Sequence, residues 1–129
     1  MVLTTPIELT LPGESRFMRL ARLVASGVAT TCGLPLEEVE DFRVAVDEVC
    51  ATLIEAGAGK PIRLSFTVGE GTLVVTGQTH DIDQHGPDED RLALSRQILD
   101  VIAESHRFSR VDGHAEFVVV TRLRGGGVG

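Results

Sequence analysis

Apolar and polar residues alternate from Ile7 to Leu11, the period of a half-buried strand, and Pro12-Gly13 ends the run. The period then changes. Phe17, Leu20, Ala21, Val24 and Val28 recur three and four apart, one face of a helix running from about Glu14 to Cys32, with Gly33 placed as its C-terminal cap. Pro35 opens a second, longer helix, whose first turns carry Glu37, Glu38, Glu40 and Asp41, where negative charge complements the helix dipole. Its predicted buried stripe is Val39, Phe42, Val46, Val49, Cys50 and Leu53. Past Gly57 and Gly59 the alternation returns: Ile62, Leu64, Phe66 and Val68 form one strand, Gly69-Glu70-Gly71 a turn, and Thr72 to Thr76 a second strand.

The stretch Gly77 to Pro87, GQTHDIDQHGP, has no apolar period and is predicted to be a loop, a length that in a small domain marks a site or a lid. A third helix is expected from Asp88 or Glu89 to about Glu104 or Ser105, with Leu94, Ile98, Val101 and Ile102 on its buried face. A closing hairpin, about Arg107–Val111 and His114–Leu123, turns at Asp112-Gly113. The order strand, helix, helix, hairpin, loop, helix, hairpin predicts an α+β two-layer sandwich. Its sheet would be mixed but mostly antiparallel, of about five strands, with three helices on one face. Residues 1–124 are expected to form one domain and 125–129, GGGVG, a flexible tail.

Composition narrows the function. A formal charge of −7 disfavours direct binding to nucleic acid, whose phosphates are gripped by lysine and arginine, and points to basic or neutral partners. The sequence has neither a membrane-length apolar run nor a secretory leader, so a cytoplasmic location is expected. Cys32 and Cys50 lack the paired spacing of a zinc site and are expected to be buried, inert thiols. His80, Asp81, Asp83 and His85 sit together in the loop, but the favoured interpretation there is a solvated polar segment with no metal. Arg19 and Arg22, three apart on the first helix, form a cationic patch able to grip carboxylates in an otherwise acidic molecule.

The segments RLVASGVATTCGLPL and EEVEDFRVAVDEVCATLIEAG resemble anti-sigma regulatory factors of the RsbW and SpoIIAB type, which are built on the histidine-kinase-like (GHKL) ATPase fold. In residue identity the likeness is concentrated between about Arg16 and Gly57. The resemblance implies a protein that sequesters a sigma factor and releases it when an anti-anti-sigma partner with a STAS domain displaces it, dimerises in many cases, and in many members phosphorylates that partner with Mg-ATP.

Residue by residue, Glu48 matches the family's catalytic base, and Thr52 stands where the family has a metal-binding asparagine. The stretch Val75–Thr79, where the family has an adenine-binding aspartate, holds no carboxylate, so that role would fall to Gln78 or, with a shifted loop, to Asp81; Arg22 matches an arginine that contacts partners. Only Gly86 remains of the glycine-rich phosphate lid, and Pro87-Asp88-Glu89-Asp90 follows it. With these departures the leading expectation is a binding protein that uses no cofactor. The alternatives are an active protein-serine kinase using Mg-ATP and a stand-alone sensor of some other small molecule.

Overall fold

In a computed structural model, which describes residues 2–80 and 87–123, one sheet carries the helices on one face. The elements are β1 (Ile7–Leu11), a single 3-10 turn (Ser15–Phe17) leading into α1 (Met18–Thr31), α2 (Leu36–Gly57), β2 (Ile62–Gly69), β3 (Thr72–His80), α3 (Glu89–Ile102), β4 (Ser105–Val111) and β5 (His114–Arg122). The strand order is β1-β2-β3-β5-β4, and all four pairings are antiparallel. Each hairpin turn follows its sequence signal. Asp112 and Gly113 both have positive φ, 52° and 76°, as the tight two-residue turn between β4 and β5 requires.

Alternation sets the core. Ile62, Leu64, Phe66 and Val68 of β2, Leu73 and Val75 of β3, and Ala115, Phe117 and Val119 of β5 are buried on one side of the sheet. Helix α2 lies across them, and its expected stripe from Val39 to Leu53 is buried throughout. The approach is unusually close. A Cβ built on Gly77 would stand 2.5 Å from Val49 Cγ1 and 2.6 Å from Leu53 Cδ1, and one on Gly57 would stand 2.8 Å from Thr79 Oγ1. Helix α1 packs on the side of α2 through Ala21, Ala25, Val28 and Ala29. It ends in a paired cap in which Gly33 N–H reaches the Thr30 carbonyl and Leu34 N–H reaches the Ala29 carbonyl.

Four expectations need correction. The strand β3 does not stop at Thr76 but continues to His80, because both edges of Gly77, Gln78 and Thr79 find partners, on β2 at Leu64, Arg63 and Ile62 and on β5 at Phe117, Glu116 and Ala115. Sheet pairing on both sides overrides the low strand propensity of Gly77. In α1, Leu20 is 42% exposed and small alanines take the buried face, since they allow the helix axes to come together.

In α3 the buried face is Leu92, Ser95 and Leu99, while Leu94 and Val101 are 58% and 84% exposed. Two apolar pairs stand seven apart in that helix, so spacing by itself could not choose between them. Helix α3 also ends at Ile102, two residues earlier than expected, where Ala103 turns extended.

Replacing Gly77 with valine is expected to lower unfolding free energy by about 2 kcal/mol, as an overpacked site that must push α2 away. Gly69→Ala, whose new Cβ would meet nothing nearer than Thr72 Oγ1 at 3.5 Å, should stay within about 0.5 kcal/mol of the parent in urea denaturation.

Candidate functional site

Residues 48, 52 and 55 fall four and three apart on α2, so their side chains leave the same face of the helix. Helix α3 is docked against that face. Ser95 Oγ donates to Glu48 Oε1 at 2.6 Å, a short charge-assisted bond, and Ser95 is only 1% exposed. Two turns further along, Glu55 Oε1 accepts the Asp88 N–H at 2.8 Å, and Glu55 Oε2 lies 3.8 Å from Arg91 Nε. Asp88 in turn accepts the Asp90 N–H at 2.9 Å as the N-cap of α3. Two amides at the start of α3, those of Asp88 and Asp90, are thus already held by carboxylates.

Between these contacts Thr52 is fully buried, and its Oγ1 has no hydrogen-bond partner. Across from α2 on β3, against Gly57, stands Thr79, also fully buried, which donates to the Pro61 carbonyl at 2.9 Å. Thr79 was not singled out from the sequence. Extending the strand alternation past Thr76 would have found it, because residues 77 and 79 then face the helices and residue 78 faces away. Gln78 accordingly leaves the opposite side of the sheet from Thr52, paired in register with Glu116. Asp81, with Asp83, His85 and Gly86, lies outside the described residues.

The family's nucleotide would need a metal ligand, a carboxylate for adenine and open amides for phosphate. Thr52 presents a sealed hydroxyl, whereas magnesium is held through oxygen ligands and several waters. Glu48 is engaged by Ser95, and the α3 amides face Glu55 and Asp88, whose charge would repel a triphosphate. The described groups do not fit Mg-ATP in this arrangement, and no chemical step is derived through it.

A second site lies on the opposite side of α2. Arg22 Nε donates to Asp47 Oδ1 at 2.7 Å, tying α1 to α2. Arg19, Arg22, Leu23, Ser26 and Arg43 line a groove of about 610 Å³. Arg43 also grips Glu40 at 2.8 Å within its own helix. Along α1, Arg19, Leu20 and Leu23 are exposed on one face; Leu23, 68% exposed, lines the groove, and Leu20, 42% exposed, shares that face. Arg19 and Arg22 of α1 and Arg43 of α2 thus line the same groove.

The two thiols differ. Burial pushes the Cys50 thiol up to about 12, with the Asp47 carboxylate adding to the rise and Arg22 opposing it. Cys32 is half-buried, and its thiol is raised chiefly by burial. The expectation of two buried thiols holds for Cys50, while Cys32 at the end of α1 retains access to solvent. Both are free.

Compared with known proteins, the chain matches the model of the histidine kinase-like ATPase domain over residues 11–112, from the last residue of β1 to the turn before β5. It is 35% identical over 83 residues to the serine-protein kinase RsbW of Halalkalibacterium halodurans, covering 60% of this chain and 51% of that protein. It is 30% identical over 90 residues to RsbW of Bacillus subtilis, covering 64% and 56%. The chain thus spans about half the length of the curated relatives it matches. A crystal structure of the RsbU and RsbW domains of a Mycobacterium tuberculosis protein shares the fold, with a TM-score of 0.70, 15% identity, 93% of this chain covered and 33% of that chain.

Thr52→Val, which keeps the shape and removes the orphan hydroxyl, is expected to raise the unfolding free energy by about 1 kcal/mol, read from the urea midpoint. Ser95→Ala should lower it by about 1–2 kcal/mol, and combining it with Glu48→Gln should cost less than the sum, since the two share one bond. At pH 8 a thiol reagent is expected to label Cys32 and to reach Cys50 only as the chain unfolds, which peptide mapping of the labelled protein checks.

Proposed function

Because the chain belongs to the histidine kinase-like ATPase domain family, as an RsbW/SpoIIAB-type member, we propose that it is an anti-sigma factor acting by surface recognition. The groove between α1 and α2 carries this reading: three arginines and exposed leucines gathered on a molecule of net charge −7. Such a surface suits an acidic, amphipathic segment of a sigma factor, whose carboxylates meet the guanidinium groups while its apolar side chains cover Leu20 and Leu23. Arg22 is already half-satisfied by Asp47, so a partner carboxylate engages its remaining N–H groups or displaces Asp47.

An anti-anti-sigma STAS partner competing for the same arginines releases the sigma factor by exclusive occupancy. This mechanism needs no nucleotide, and the engaged state of Glu48 and the sealed state of Thr52 favour it over phosphoryl transfer. Cytoplasmic action fits this role, and among the described residues no helix is long and apolar enough to cross a membrane. Direct contact with nucleic acid has no part in it, and a second copy of the chain is compatible with it as a dimer partner.

Mixing the purified protein with each sigma factor of its source cell should give one complex by size exclusion and calorimetry. Arg22→Ala and Arg19→Ala are each expected to weaken it about tenfold, and raising salt should weaken it further. Absence of any complex, or full affinity in the double arginine variant, overturns the proposal. Label transfer from Mg-ATP to a partner serine would replace it with the kinase reading.

A further inference from the structure

On the side of the sheet away from the helices, the last residue of β3 and the first of β5 stand opposite each other in register, and both are histidines. Their rings meet edge to face with centroids 4.5 Å apart, and the two Nδ1 atoms point at one another in direct contact. Two residues back along the same face, Gln78 stands opposite Glu116. With Asp112 these residues line one open cavity of about 340 Å³. Both histidines are exposed, and neither Glu48 nor the arginine groove is involved.

From this geometry we infer that His80 and His114 form a chelating site for a divalent transition-metal ion. The antiparallel ladder fixes the two backbones, so the cost of bringing two imidazoles together is met by the fold before any ion arrives. Two nitrogens bound to one ion at about 2.0–2.1 Å stand roughly 3.3 Å apart in tetrahedral geometry. A small side-chain rotation separates the contacting atoms to that spacing. Among the described residues no three His, Cys, Asp or Glu side chains converge on one point. Water fills the remaining coordination positions, for which the cavity has room, and Glu116 and Asp112 supply negative charge nearby.

Without an ion, the Nδ1 contact requires one proton between the rings. On binding, that proton leaves the donor Nδ1, the other tautomer with its proton on Nε2 is adopted, and both Nδ1 lone pairs turn to the metal. Any imidazolium present must first lose its extra proton, so acid competes with the ion. Imidazole ligands select copper, nickel and zinc over magnesium and calcium, and copper should bind tightest of the divalent ions.

The test uses tag-free, EDTA-treated full chain titrated with copper, nickel, zinc or magnesium chloride by calorimetry and thermal unfolding. A rise in Tm of about 3 °C or more is expected with the first three at saturation and none with magnesium. Two-nitrogen splitting is expected in the copper electron-paramagnetic-resonance spectrum. His80→Ala and His114→Ala should each weaken binding at least about tenfold, and the double variant should abolish the shift. His106→Ala, whose ring pairs with Asp100 elsewhere, should leave it intact. No metal-dependent shift in the parent chain, or full affinity retained in the double variant, overturns the inference. Because neither histidine lies in the α1 groove, sigma-factor binding by the double variant should be unchanged, so failure here is distinguishable from failure of the anti-sigma reading.

Discussion

Helix α2 can rest on β3 only because residue 77 has no side chain. Any Cβ there would stand about an ångström inside normal contact with Val49 and Leu53, and Gly57 sets the same condition against Thr79 at the far end of the helix. Close approach brings the whole apolar stripe of α2 onto the buried rows of β2, β3 and β5, so one steric constraint carries most of the core. It also settles the direction of every other face of α2. The arginine-binding Asp47 points to α1, and Glu48, Thr52 and Glu55 point to α3.

That arrangement makes α3 the counterpart of α2 in a largely polar interface. Its few buried residues, Leu92, Ser95 and Leu99, would bury little apolar surface by themselves. The contacts of Ser95 with Glu48, and of Asp88 and Arg91 with Glu55, fix its rotation and leave Leu94 and Val101 toward water. One helix face that the family resemblance assigns to nucleotide chemistry here holds a neighbouring helix in place. On the other side of α2, Arg22 bridges to α1 through Asp47, and Arg43 joins Arg19 and Arg22 along one groove.

Much of the fold was legible along the chain. Period-two and three-to-four spacings located the five strands and three α-helices of the described residues, and Gly33, Pro35 and Asp112-Gly113 marked their ends through backbone chemistry that acts locally. The site was legible in part. Arg19 and Arg22 could be read as a patch because both lie on one helix, and Glu48 and Thr52 as neighbours because they are four apart. Ser95 and Arg43 were missed, since each gains its meaning from residues distant in sequence, Glu48 and the α1 face, and Thr79 was missed because the predicted strand ends at Thr76.

Local order, then, was determined by the sequence alone: where the chain is helical or extended, where it turns, and which charges ride on one helix. Only the tertiary structure decided which of two equally spaced apolar rows of α3 is buried, that β3 runs four residues past its apolar period, and that Glu48 is bound by a serine 47 residues away. It likewise placed His80 beside His114, which no spacing rule connects. The physical reason is the range of the forces. Backbone preference and amphipathic period act over a few residues, whereas steric fit, buried hydrogen bonds and strand register depend on surfaces that exist only after the chain has closed on itself.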